Sequence, residues 1–194
     1  MLKQKIVLSY GSIMVTNVFS IIAGIIVARI AGPTVMGTLA FALSFVMMWD
    51  FINDPGISAA HIKFVSEGRD QGKCLATYAL IKLGLAMAFV SAVLGVYMVQ
   101  KFIGHANYNS RSTDLVIFIS LLTAVISTIA HIPRATWIAR TERTKIDIPF
   151  LVESIGSKSM RILIAALGFG AVALSLVNLG AALLILLPIN LYFF

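Results

Sequence analysis

Long apolar runs, separated by short charged clusters, leave this chain few ways to fold. A helix needs about 20 apolar residues to cross the roughly 30 Å of hydrocarbon in a bilayer. In lipid every backbone N–H and C=O must find its partner within the segment, which selects helices or a closed barrel. The runs here are too long and too uniformly apolar to alternate as barrel strands. They read as six spans, at about 6–31, 35–61, 75–99, 115–138, 147–168 and 171–193. The expected fold is therefore all-α: one polytopic membrane helix bundle over residues 1–194. Composition agrees, with 12% charged residues against roughly 25% in an average soluble domain, and a mean hydropathy of +0.96.

The formal charge of +7 does not indicate nucleic acid, because the basic residues sit at the ends of apolar runs and not on one polar surface. Their distribution instead sets an orientation. With the N-terminus in the cytoplasm, the inner ends hold Lys3, Lys5, Lys63, Arg69, Lys73, Arg134, Arg140, Arg143 and Lys145. The outer ends hold Arg29, Lys101 and Arg111, so the count is nine against three. The basic start resembles a signal peptide, but its apolar run is too long for one and reads as a retained helix. The single cysteine, Cys74, can form no internal disulfide. His61, His105 and His131 lack metal-ligand spacing. No nucleophile elbow, phosphate loop or metal-binding helix is present, so neither an enzyme nor a cofactor is expected.

Charged residues at membrane depth are costly unless paired or hydrated, so each calls for a reason. On a continuous helix, Asp50, Asn53, Asp54, Ser58 and His61 of the second span fall within an arc of about 140°. Pro55 disturbs the helix at the same level and frees carbonyls there. Asn53–Gly56 is then either a break facing a hydrated cavity or a turn at the far interface. Glu153, Ser154, Ser157, Lys158 and Arg161 of the fifth span fit a similar arc of about 140°. This stripe either lines a cavity or is an exposed amphipathic segment ahead of a later span. Tyr10, Asn17, Ser20 and Gly24 suit close helix packing, and Lys82 reads as a lysine snorkelling to the inner interface. An acidic face on the second helix and a basic face on the fifth suggest one shared cavity, with the faces paired or holding a charged ligand between them.

Arg29-Ile30-Ala31-Gly32-Pro33-Thr34-Val35-Met36-Gly37 resembles the pattern of arginine, two residues, Gly-Pro, three residues and glycine that comes after the first helix of polysaccharide flippases. Residues Asp54-Pro55-Gly56-Ile57-Ser58-Ala59-Ala60 through Phe64 and Glu67 are similar to the end of their second helix, with Pro55 where an apolar residue is usual. The family is the polysaccharide or O-antigen flippase group of the multidrug/oligosaccharidyl-lipid/polysaccharide exporter superfamily. The resemblance spans about 1–73 and is weaker beyond. It implies a cell-membrane transporter moving a polyprenyl-pyrophosphate-linked glycan between leaflets by alternating access. It also implies a two-bundle fold, of which six helices form the first. The chain is then expected to be a fragment or half of a transporter, with a second membrane half or polysaccharide-assembly proteins as partners, besides membrane lipid. In that reading Arg29, Lys158 and Arg161 attract the pyrophosphate, while Asp50, Asn53, Asp54 and Glu153 line the cavity and hold a coupling proton or sodium. The competing readings are a drug/cation antiporter of the same superfamily and a non-transporting assembly subunit.

Overall fold

The computed structural model describes residues 2–102, 111–142 and 144–186. Among these the chain is helical, with no strand. The elements are α1 (Leu2–Met47), α2 (Ile57–Ser66), α3 (Gln71–Phe102), α4 (Arg111–Ala139), α5 (Thr144–Ala166) and α6 (Ala171–Ala181), with a 3-10 turn at Asp50–Ile52 and a π-helical turn at Ala182–Leu186. The polar loop 103–110, Arg143 and the end of the expected sixth span, 187–193, lie outside the described residues.

Two expected boundaries change. The first two spans are joined as one element through Pro33, interrupted only at Gly32 (φ 79°, ψ 171°). Gly32 tolerates this left-handed φ because it lacks a Cβ. Pro33 fits the first turn of the second half of α1, because its absent N–H has no partner to lose there. That second half ends at Met47, well short of His61. Residues 48–56 are non-α, and α2 begins anew at Ile57. The 140° arc drawn for Asp50 to His61 assumes a continuous helix, so it does not describe this segment.

Three segments are long and apolar enough to cross a membrane: Ile13–Ile52, Gln71–Phe102 and Arg111–Ala139. These are the helices of a membrane protein. Ala171–Leu184 is a shorter apolar helix. Helix α5 is long enough but carries Glu153, Lys158 and Arg161 through its middle. The exterior matches a lipid solvent: Leu80 is 71% exposed and Met87 68% exposed on α3, where water would penalise them.

The main core gathers Ala42, Phe45 and Val46 of α1, Phe89, Val93 and Tyr97 of α3, Val116, Ile117 and Leu121 of α4, and Ala171 of α6. A smaller core joins Val27 of α1, Ala165 of α5 and Leu174 of α6. At one end of the α3–α4 pair, Lys101 Nζ donates to Asp114 Oδ2 at 2.7 Å and to Tyr97 Oη at 2.9 Å. Tyr97 meets Phe118 edge to face.

Candidate functional site

The site begins where α1 stops. After Met47 the backbone tightens: Ile52 N donates to Trp49 O at 3.0 Å, and Asn53 N to Asp50 O at 2.9 Å. Pro55 has no N–H to continue a ladder, and Gly56 turns the chain with φ 95°. Asp54 then anchors the start of α2. Its Oδ1 accepts from Ser58 N at 3.1 Å, and its Oδ2 accepts from the Ser58 hydroxyl. A carboxylate at a helix N-terminus is favoured by the peptide dipoles and the unpaired N–H groups there.

This interruption leaves the Asn53 carbonyl outside any helix, and Lys82 of α3 reaches it. Lys82 Nζ donates to Asn53 O at 3.1 Å and lies 3.1 Å from Asp54 Oδ2. The lysine side chain is 5% exposed and that of Asp54 38%. Lys82 stands 11 residues into a 32-residue helix, or about 16 Å along an axis of about 48 Å. It is therefore not a snorkelling lysine: its ammonium points inward to a carboxylate and a carbonyl. An ammonium away from water needs such partners.

The network continues from both residues. Asn53 Nδ2 donates to Thr128 Oγ1 of α4 at 2.7 Å and approaches Asp50 Oδ1 at 3.3 Å. Ser58 Oγ is 2.7 Å from Tyr78 Oη of α3. As Ser58 gives its own proton to Asp54, Tyr78 is the donor to Ser58. His61, 4% exposed, stacks on Tyr78 with ring centroids 4.3 Å apart, and its Nε2 is 2.9 Å from Thr136 Oγ1.

Asp50, Asn53, Asp54, Lys82 and Thr128 of this network border a cavity of about 340 Å³ between α1, the 3-10 turn, α3, α4 and α6. That is within the range of roughly 300–1,000 Å³ usual for small-ligand sites. Asp50, Asn53, Asp54 and Lys82 lie on one side, and Ser120, Thr123, Ser127, Thr128 and His131 of α4 on another. Ser175 and Asn178 of α6 complete the polar lining, with Leu43, Val46, Met47 and Phe89 among the apolar walls.

Of the residues expected from sequence, Asp50, Asn53 and Asp54 meet in this cavity. Glu153, Lys158 and Arg161 all lie on α5, and no α5 residue lines it. The acidic and basic faces thus do not share this cavity, and no ion pair joins them among the described residues. Arg161 Nε is buried with no hydrogen-bond partner, and Ser154 and Ser157 are buried on the same helix. Arg29 is exposed on α1, outside the cavity lining. The cation of the site is Lys82.

The sequence reading missed the α4 contribution, although a signal was there. Ser120, Thr123, Ser127 and His131 recur at intervals of three and four, one stripe of an otherwise apolar helix. Among the described residues no cluster of three or more histidine, cysteine, aspartate or glutamate side chains could hold a metal ion. The fold and site define a class: an all-α membrane-type bundle with an ion-paired polar cavity inside it. No family description, curated protein or solved structure matches the chain.

Proposed function

We propose that the chain is one bundle of a flippase-like transporter in the cell membrane, whose cavity receives the charged head group of a lipid-linked glycan during transfer between leaflets. The observation that carries this reading is the ion-paired cavity. Polar residues from the 3-10 turn and the residues after it, α3, α4 and α6 converge in an apolar bundle, where burying them serves no packing purpose that apolar side chains would not serve better. The resemblance at Arg29–Gly37 and Asp54–Glu67 supports the substrate class. Six spans, a cytoplasmic N-terminus and a second membrane half belong to the same proposal. Within it, the head-group role moves from Arg29, Lys158 and Arg161 to Lys82, while Asp50, Asn53 and Asp54 keep their place beside it.

The test is reconstitution of the purified chain in liposomes, alone and with a co-expressed second membrane half, with a fluorescent lipid-linked oligosaccharide in one leaflet. Movement to the other leaflet that Lys82→Met abolishes is the expected result. No movement in either preparation overturns the proposal.

A second reading has one observation in its favour. Two carboxylates, Asp50 and Asp54, line the cavity beside one ammonium, and an acidic cavity suits a drug/cation antiporter. Uptake of a cationic dye in place of the lipid would select it.

A further inference from the structure

We propose that Asp54 and Lys82 form a proton-gated anion site: protonation of Asp54 releases the Lys82 ammonium, which then binds a phosphate group of an isoprenoid diphosphate in the cavity. This deepens the transport reading above and rests on it.

The charges in the cavity pose the problem. Among the described residues Lys82 is the one lysine or arginine lining it, against Asp50 and Asp54. An entering anion therefore meets a net negative surface, and the Lys82 ammonium is already held by Asp54 at 3.1 Å. Coulomb attraction at that distance, with the lysine side chain 5% exposed, holds the pair together, so an anion competes poorly for Lys82 while Asp54 is ionised. Once a proton binds the carboxylate, the cavity gains one positive charge and the ammonium loses its counter-charge. The O–H bond forms on Asp54 while Lys82 keeps all its protons.

The surroundings hold Asp54 ionised until an anion competes for Lys82, because Ser58 and Lys82 both donate to its carboxylate. Ser58 anchors Asp54 through its N–H and its hydroxyl, so the carboxyl group stays in place when Lys82 leaves. Lys82 Nζ also donates to Asn53 O, a neutral acceptor that leaves the ammonium charge unbalanced once Asp54 is protonated. Its flexible stem can turn toward the hydroxyls of Ser120, Thr123 and Ser127, which line the same cavity and supply donors to phosphate oxygens. The titratable and charged groups around the pair are Asp50 in the 3-10 turn, His61 on α2, Tyr78 on α3, and His131 with Arg134 one turn beyond on α4. From α6 the cavity receives only the neutral Ser175 and Asn178. Asp50 and His131 are thus the other cavity groups able to take up a proton, and the test must separate them from Asp54.

The experiment uses geranyl diphosphate as probe, with the full chain in nanodiscs. Binding is followed by titration calorimetry in buffers of different ionisation enthalpy at about pH 7.5, where the probe's own phosphate is mostly ionised. The wild type is expected to take up about one proton per probe bound. Asp54→Asn is expected to bind more tightly with almost no uptake, and His131→Gln to retain it. Lys82→Met is expected to weaken binding on the order of tenfold or more. If Asp54→Asn does not fold, Ser58→Ala decides: removing a donor to the carboxylate eases its protonation and is expected to tighten binding severalfold. Equal affinity in wild type and Lys82→Met overturns the proposal. Binding without proton uptake, or with uptake that persists in Asp54→Asn and so belongs to Asp50 or His131, also overturns it while leaving the transport reading intact. Absence of probe binding to the wild type overturns the anion site, while the liposome assay above decides the transport reading. Binding of tetraphenylphosphonium with proton release assigns the cavity to cations and overturns the anion site.

Discussion

Thr128 is a small residue with a measurable task. Its hydroxyl accepts the Asn53 amide at 2.7 Å in a buried position. Thr128→Val keeps the shape and removes the acceptor, leaving Asn53 Nδ2 with Asp50 at 3.3 Å. An unsatisfied buried donor costs about 1–3 kcal/mol, so unfolding in detergent should show a loss in that range. Asp54→Ala acts through its partner. It strands Lys82, 5% exposed, with a carbonyl as its remaining acceptor. Breaking a fully buried pair costs about 3–5 kcal/mol, and the 38% exposure of Asp54 places this one at or below about 3 kcal/mol. The double variant with Lys82→Met should recover most of that loss; additive losses in a double-mutant cycle would show that the two side chains are independent. Asp50, Asn53 and Asp54 were legible in sequence because polar side chains stand out in an apolar run. The role of Lys82 was not. Its place in the run fits snorkelling, and its true acceptor is a carbonyl 29 residues away in sequence.

At the scale of elements, the breaks matter more than the helices. Gly32 and Gly56 both have positive φ, 79° and 95°, and a Cβ at either would meet nothing within 4 Å. Substitution by alanine therefore tests the backbone alone. Gly56→Ala should destabilise by about 1–2 kcal/mol, the cost of a left-handed helical conformation (ψ 3°) for an L-residue, and Gly32→Ala by about 1–3 kcal/mol, because its ψ of 171° lies in a region that essentially only glycine occupies; both are read as a lower unfolding midpoint in detergent. A neutral Gly32→Ala would mean that α1 can straighten without loss. The helices themselves were largely readable, since apolar length and Gly-Pro punctuation mark them. Periodicity also groups the α5 residues Glu153, Ser154, Ser157, Lys158 and Arg161 on one stripe. What periodicity does not contain is the neighbour that a stripe meets. Helix α5 packs its Ala165 beside Val27 and Leu174, away from the cavity lining, so two faces matched by charge in sequence are not matched in space. The arc from Asp50 to His61 failed for a different reason. Pro55 and Gly56 end one helix and start another, and no single wheel covers both.

For the whole molecule, α3 offers the simplest topological test. Its 32 residues reach about 48 Å, beyond the roughly 30 Å of hydrocarbon, so its two ends should emerge on opposite sides. In a Cys74→Ala background, Arg111→Cys is expected to react with an impermeant maleimide on intact cells, and Lys73→Cys only after permeabilisation. The reverse pattern would invert the proposed orientation, and equal labelling of both would remove α3 as a span. Helices α3 and α4 are fastened at one end, where Lys101 of α3 holds Asp114 of α4, and further along the pair they border the Lys82 cavity. Two rods pinned at one tip can part only by pivoting about it. Lys82 lies 19 residues from Lys101, a lever of about 28 Å, so a rotation of about 10° would part the helices by about 5 Å at the cavity and scarcely at all at the pin.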